Sequence, residues 1–507
     1  MRTGMVSTGK VDKCWLSEWQ QTVWDEVLQI IAILDERTKR RPPTFLSTKK
    51  GKNILARFHS KYVIVPTDKA GNNFAIVCKK FYIEQSMKEL GIFLRFNGSN
   101  PTYQMVDVDI SSITKRHKKY LKSKLGLDAE KIPDSLPFLY WIPKMHKKPF
   151  SKQRYIAASY KCSTKPASAL LTKCFKLIEN THRKACRTYS RTYRINPMWI
   201  ANNSSEVHKI MAPFNRHRKA INMRTDDFST LYTNIPHALL RKQMKWTIKE
   251  AFRLSKKKNI SVYNNNACWT DAPRKKAIVV DEKKLIQLTN WLINNSFVTF
   301  GNKCFRQVIG IPMGTDCAPY LANLFLFSLE CQWIQKQVKE KKFHLIKKFC
   351  SCARYIDDLL LINNDDAMLK VMAQIYPKEL VLVPDDSDGL STPFLDLQLT
   401  ITNGIISTSI YDKRDNFDFP IVNFPHLCGN IPNKSSYGVF IGEAVRYARG
   451  CTYFADFKSR VLMLTSKLKQ QSFSRKGLRS AWSRFCESHV LLIQKYGIHV
   501  LNLSKKF

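Results

Sequence analysis

The chain has 507 residues, which at roughly 150 per domain suggests about three domains. Its 44% hydrophobic content argues against wholesale disorder and against a small scaffold stapled by disulfides. Lys and Arg number 83 against 40 Asp and Glu, a net charge of +43 that calls for a polyanionic partner, most commonly a nucleic-acid backbone. Charge alone would describe a ribosomal or histone-like binder equally well.

Taken in chain order, the first stretch holds an amphipathic helix candidate from Glu18 to Leu34. It is followed by Arg37, Lys39, Arg40 and Arg41 ahead of Pro42 and Pro43. That basic cluster reads as a nuclear-import address, an RNA-contacting arm or a stiff solvated linker. Tyr62 to Asp68 and Phe74 to Lys79 are β-rich runs around a Lys69-Ala-Gly-Asn-Asn73 hairpin signal. A basic helix is expected from Lys115 to Leu125. Pro137 to Pro149 interleaves aromatics, prolines and cations, as suits an extended segment against nucleic acid. Asn222 to Tyr232 reads as a strand ending at Pro236, and His237 to Leu254 as a helix. The Asn/Lys-rich insert from Lys256 to Asp281 reads as a surface loop.

A helix from Glu282 to Asn294 then leads into a hairpin, Phe297–Phe300 and Lys303–Val308, turned at Gly301-Asn302. Another helix starts near Pro319 with Leu321, Leu324, Phe325 and Leu329 on its buried stripe. Ala353–Ile356 and Leu359–Asn363 are strands flanking Asp357-Asp358. From Ser435 onward helices are expected at Tyr437–Arg449, Tyr453–Lys469 and Lys476–Tyr496, carrying Arg446, Arg449, Lys458 and Arg460. The 14 cysteines include no Cys-x-x-Cys, and Cys350-Ser-Cys352 lacks the spacing of a zinc site, so reduced, mostly buried thiols are expected. No signal-peptide core opens the chain. The most apolar run, Tyr320 to Leu329, is too short to cross a bilayer, so a soluble, intracellular protein without a membrane partner is expected.

Two acid pairs carry the chemistry. Asp357-Asp358 sits between apolar runs that demand burial, although neighbouring carboxylates repel and resist it unless a cation intervenes. An exposed turn, where Asp is simply a good turn residue, is the competing reading. Asp226-Asp227 opens a second strand-like run, Phe228-Ser-Thr-Leu-Tyr-Thr-Asn-Ile-Pro236. Carboxylates from two strands can hold two divalent ions roughly 3.5–4 Å apart, activating a hydroxyl and steadying a leaving pyrophosphate. Such a sparse oxygen set suits Mg²⁺, with Mn²⁺ possible as a substitute. Between the pairs lies Gln307-Val-Ile-Gly-Ile-Pro-Met-Gly-Thr-Asp-Cys-Ala-Pro319, whose glycines would let the backbone approach a bulky substrate.

Together these blocks resemble the A, B and C motifs of reverse transcriptases, and their wording is similar to Penelope-like retroelements, a telomerase-related group. Leu-Tyr-Thr-Asn-Ile-Pro, Gly-Ile-Pro-Met-Gly-Thr-x-x-Ala-Pro and Tyr-Ile-Asp-Asp all occur. So do Asp68-Lys69-Ala-Gly71, Ile142-Pro-Lys-Met-His-Lys147 and Phe394-Leu-Asp-Leu397. The resemblance implies an α+β right-hand polymerase of fingers, palm and thumb, with an antiparallel palm sheet. It divides the chain into a basic N-terminal arm (1–55), an N-terminal extension (56–133), fingers and palm (134–400) and a thumb-like helical domain (401–507). It implies Asp227, Asp357 and Asp358 as catalytic metal ligands, joined by the Phe228 carbonyl, with Asp226 outside the ligand set. Arg154 and Lys147 are implied at the triphosphate and Met313 next to the nascent base pair, with Gln307, Gly310 and Gly314 also among the substrate-binding residues.

Lys144, Arg446, Arg449, Lys458 and Arg460 are implied on nucleic-acid phosphates. Tyr232 stands where reverse transcriptases place an aromatic gate that leaves no room for a 2′-hydroxyl; core filler is its other reading. The implied activity is RNA-directed DNA synthesis from dNTPs on an RNA template and a DNA primer, in the nucleus. A catalytically silent nucleic-acid-binding relic and an RNA-copying RNA polymerase are the rivals. Two departures stand out. Tyr155 follows Arg154 where the family commonly has proline, and no GIY-YIG nuclease block is recognisable, so either the nuclease-lacking kind or a truncated chain is implied. The resemblance leaves the oligomeric state unknown.

Overall fold

The computed structural model describes residues 48–92, 102–147, 152–217, 219–272, 277–385, 388–429 and 432–497, together with single residues at 18, 21, 22 and 25. The Arg37, Lys39, Arg40 and Arg41 cluster and most of the expected helix at 18–34 lie outside the described residues. The chain divides into two units, residues 1–63 with 76–80 and residues 64–75 with 81–507. In the first, helix α1 (Lys49–Lys61) starts at Thr48, whose hydroxyl accepts from the Gly51 N–H at 3.0 Å.

Strands β1 (Tyr62–Thr67) and β2 (Ala70–Cys78) form a two-stranded sheet around the tight turn Asp68-Lys69, shorter than the five-residue loop expected. Helix α2 (Lys79–Glu89) follows, then β3 (Tyr103–Val106) and α3 (Ile110–Leu125). This second helix begins five residues before Lys115 because Asp109 caps it through the Ser112 N–H, and Gly126 at φ +65° ends it. β4 (Phe138–Pro143) and β5 (Gln153–Ala158) pair antiparallel. Trp141 is 1% exposed and stacks on Tyr82 at 4.5 Å, so this aromatic of the Pro137–Pro149 segment serves the protein's own core rather than a strand of nucleic acid.

The long helix α4 (Lys165–Tyr193) and α5 (Ser204–His217) lead to β6 (Met223–Phe228), the one-turn α6 (Leu231–Asn234) and α7 (His237–Ser255). The insert expected as a loop is instead a three-stranded sheet: β7 (Asn259–Val262), β8 (Ala267–Thr270) and β9 (Ile278–Asp281) in the order β8-β7-β9. Ile260 and Val280 are wholly buried against the helices, and the polar residues between the strands hid that apolar face from a compositional reading. Helix α8 (Glu282–Asn294) is capped by Asp281 and precedes the hairpin β10 (Phe297–Phe300) and β11 (Lys303–Gln307). These two complete a five-stranded sheet ordered β3-β11-β10-β4-β5.

Helix α9 (Ala318–Lys339) is buried nearly all round through Leu321, Leu324, Phe325, Leu326 and Phe327, as befits a helix at the centre of a core. Each such side chain contributes about 2–3 kcal/mol on burial. After α10 (Phe343–Phe349) come β12 (Ala353–Tyr355) and β13 (Asp358–Ile362), then α11 (Asp366–Ile375) and β14 (Leu382–Pro384). The order β12-β13-β6-β14 makes a four-stranded sheet that is antiparallel throughout.

β15 (Ser391–Phe394), β16 (Leu397–Thr402) and β17 (Ile405–Ile410) form a further antiparallel sheet, so the hairpin of β16 and β17 crosses residue 400, the expected boundary of the thumb-like helical domain. After the single turn α12 (Asn433–Ser436), three helices of the C-terminal end share a second core with that sheet: α13 (Gly438–Gly450), α14 (Phe454–Gln470) and α15 (Arg475–Ser488). The expected helix 476–496 is broken at His489, with α16 (Val490–Gln494) beyond it. Nine of the described cysteines are buried. No helix of the described residues is long and apolar enough to cross a membrane.

Candidate active site

β6 and β13 lie side by side with Asp227 directly opposite Asp358, so the two carboxylates leave the same face of the sheet. Like charges in this relation destabilise a sheet. Asp357 occupies the two-residue turn between β12 and β13, and its carbonyl accepts the Phe228 N–H at 3.0 Å, which fastens that turn to the strand bearing Asp227. One oxygen from each of Asp227, Asp357 and Asp358 lies within 4.8 Å of the others. Among the described residues no other group of three metal-ligating side chains comes together in this way.

The electrostatics follow from that crowding. Burial, then the Asp357 carboxylate, pushes Asp358 up to about 6. Asp227 is also held above the usual carboxylate range, first by desolvation and then by Asp357, against the pull of Lys147, Lys413 and Lys144. No side-chain hydrogen bond or ion pair among the described residues neutralises any of the three. A set of hard oxygen donors, mutually repelling and without a protein counter-ion, fits Mg²⁺ or Mn²⁺. Asp226 points to the other face: it is 1% exposed and takes Arg224 at 2.7 Å, so it stays outside the triad. Phe228 buries its ring edge-on against Tyr376 at 4.7 Å, leaving its backbone at the acid turn.

Arg354, which the sequence reading left without a role, explains how the turn is held. Its side chain is fully buried and all five N–H groups are engaged. Nε donates to Glu330 Oε1 at 2.5 Å and Nη2 to Oε2 at 3.2 Å. The Asn323 side chain and carbonyl take two more, at 2.9 and 3.2 Å, and the Ile356 carbonyl takes the last at 3.0 Å. Ile356 precedes Asp357 and sits at φ +54°, a left-handed conformation that a β-branched residue adopts only under constraint, at about 1–3 kcal/mol. Tyr376 completes the network by donating to Glu330 at 3.0 Å.

The other expected residues divide into those near the triad and those elsewhere. Lys144 and Lys147 occupy the turn after β4, and their charges act on Asp227. Arg154 on β5 pairs with the buried Asp68 at 3.5 Å and, after burial itself, depresses the ammonium groups of Lys69 and Lys144. Tyr232 is half-buried on α6, and burial followed by the Asp357 carboxylate holds its hydroxyl above its usual range. Core packing and a place beside the acids therefore both describe it.

Gly310 and Gly314 approach other parts of the chain closely. Gly310 is at φ +84°, and a Cβ there would lie 2.2 Å from the Tyr232 carbonyl. Gly314 is at φ +108°, and a Cβ would lie 2.2 Å from the Ala157 carbonyl. Gln307 is 1% exposed and donates to the Ile309 carbonyl at 2.9 Å, bracing the loop. The Met313 carbonyl accepts from Ala157 N at 2.7 Å. Of the five cations expected on phosphates, Arg446 and Arg460 are engaged within the protein. Arg446 pairs with Asp396 at 3.0 Å and Glu443 at 2.8 Å, and Arg460 pairs with Asp415. Arg449 and Lys458 are exposed on α13 and α14.

No family model matches the chain. No curated protein matches it either. Among solved structures, telomerase from Candida albicans in complex with the TWJ fragment of telomeric RNA aligns over 89% of this chain and 72% of its own, at 12% identity and a TM-score of 0.58. Apo telomerase from Candida tropicalis aligns over the same shares, 89% and 72%, at 12% identity and 0.49. The RNA-dependent RNA polymerase of BmCPV in its quiescent state aligns over 75% of this chain and 31% of its own, at 9% identity and 0.36. The chain has an α+β polymerase fold like that of the Candida albicans telomerase.

Proposed function

We propose that the protein is an RNA-directed DNA polymerase of the Penelope-like kind, extending a DNA primer with dNTPs on an RNA template. The observation that carries the reading is the meeting of Asp227, Asp357 and Asp358 on adjacent strands of a polymerase fold. Divalent cations held by those three, with the Phe228 carbonyl beside them, would lower the pKa of an attacking hydroxyl and offset charge on the phosphoryl oxygens. The chain's own part is positional. Lys147 and Arg154, on either side of the β4–β5 turn, meet the triphosphate. Tyr232 lies beneath the sugar. Gly310 and Gly314 let the loop after β11 seat against β5 and α6, fixing the floor on which the base pair forms. Exposed cations such as Arg449 and Lys458 follow the duplex phosphates, adding salt dependence rather than sequence preference.

Primer extension on an RNA template tests the reading. The wild-type chain should add dNTPs in Mg²⁺, and Asp357→Asn should lose at least a hundredfold; an inactive wild type would favour a silent nucleic-acid-binding relic. Tyr232→Ala should admit rNTPs, whereas equal use of rNTPs by the wild type would point to an RNA polymerase. Nuclear residence belongs to the same proposal, and a tagged chain that stays cytoplasmic would oppose it.

A further inference from the structure

The face of the sheet that carries Asp227 and Asp358 opens into a cavity of about 330 Å³. His146 and Lys147, from the turn after β4, line one side of it, and Lys413 and Asn416, from the single 3₁₀ turn after β17, line another. Three parts of the chain, more than two hundred residues apart at their extremes, thus meet around one space lined by both acids and cations.

The turn that brings Lys413 there is fixed on both sides. Asp412 caps it, accepting from the Arg414 N–H at 3.0 Å, and clasps the Arg414 guanidinium at 2.7 to 3.0 Å. Arg414 is therefore spent inside the protein. Asp415 is held by Arg460 and by Lys467, the latter at 3.1 Å, both on α14. Asn416 donates to the Tyr411 hydroxyl at 3.2 Å. Lys413 alone among the cations of this turn has no hydrogen bond or ion pair among the described residues. Its charge nevertheless acts on Asp227 and Asp358 across the cavity, and on Lys69 and His146 beside it.

A lysine anchored by its neighbours, aimed into a cavity and left unpaired within reach of carboxylates that it does not touch, is arranged for an anion lying between them. We infer that Lys413, with Lys147 lining the same cavity, forms a phosphate subsite next to the acid triad. This rests on the polymerase reading for its setting, and extends it to a residue of the segment between palm and helical end. The phosphate belongs either to the polyphosphate tail of a nucleotide or to the backbone of the priming strand.

Binding to the full-length chain separates these sources. One arm titrates Mg²⁺-tripolyphosphate, and the other titrates a primer–template duplex across a series of salt concentrations. Lys413→Ala should weaken one arm at least tenfold, with Lys413→Arg restoring most of the loss. Lys249→Ala, an exposed lysine on α7, should change neither by more than twofold. Loss in the tripolyphosphate arm assigns the nucleotide tail. Loss in the duplex arm, with the salt slope reduced by about 1, assigns the primer backbone. Both arms within twofold of wild type would overturn the subsite even if polymerisation is intact. Conversely, a loss of binding in Lys413→Ala, alongside a wild-type chain that binds but never extends a primer, would keep the subsite and remove the polymerase reading.

Discussion

Replacing Arg354 by Met removes the cation from a pair in which both side chains are fully buried. Glu330 is then left with one donor, the Tyr376 hydroxyl at 3.0 Å, and the Asn323 and Ile356 carbonyls each lose theirs. Breaking a buried pair from one side costs about 3–5 kcal/mol, chiefly because the remaining charge is uncompensated. Against a typical stability of about 5–15 kcal/mol that is a large fraction. Glu330→Gln should destabilise the wild-type chain yet restore roughly 1–3 kcal/mol in the Arg354→Met background, because there it removes the orphaned charge. The assay is urea unfolding of all four proteins, comparing midpoints of the same transition, followed by the Mg²⁺ dependence of nucleotide addition. The doubly substituted protein should regain stability but still need more Mg²⁺, since the Ile356 carbonyl that positions Asp357 remains without its donor. Additive effects of the two substitutions, within about 0.5 kcal/mol, would refute the coupling. A normal Mg²⁺ requirement in the double variant would refute the positioning role.

The metal-free protein should gain stability as pH falls through the range near 6. Asp358 has a folded-state pKa of about 6, above its ordinary 3.8, so its favourable contribution is complete below about 4 and is lost as pH rises through 6. Two units correspond to about 3 kcal/mol, which partial solvent access reduces to about 1–2. Thermal melting at pH 5 and pH 7.5 checks this, and Asp358→Asn should raise the melting temperature at pH 7.5 and flatten the pH dependence. Gly310→Ala should lose about 2–4 kcal/mol from the forced contact with the Tyr232 carbonyl and the positive φ, while Gly71→Ala, with nothing within 4 Å, should be near neutral in the same unfolding assay.

The readable parts of this chain were those in which chemistry and periodicity coincide. The acid pairs stood out because charge interrupted apolar strands, the hairpin at Gly301-Asn302 carried its own turn, and the helix from Glu282 carried its own cap in Asp281. Arg354 escaped notice because its partner Glu330 lies 24 residues away on a helix whose burial makes the ion pair possible. Lys413 sits in one short turn with no repeating pattern, and its setting depends on Asp412 and Asp415 consuming the neighbouring cations. Distance along the chain also hid the partners of Arg446 and Arg460: basic residues on a helix read as free until Asp396 and Asp415 fold against them. Close backbone approach was legible from the glycines, but the contacts with the Tyr232 and Ala157 carbonyls, from distant parts of the chain, were not.

Three carboxylates sharing a divalent cation are the centre of the proposed chemistry, and Mn²⁺ binding followed by electron paramagnetic resonance tests that directly. Titrating the full-length chain at pH 7.5 should show Mn²⁺ held by the wild type, displaced by Mg²⁺, and weakened at least tenfold by Asp227→Asn or by Asp357→Asn. Undiminished binding in both variants, with no competition from Mg²⁺, would contradict it.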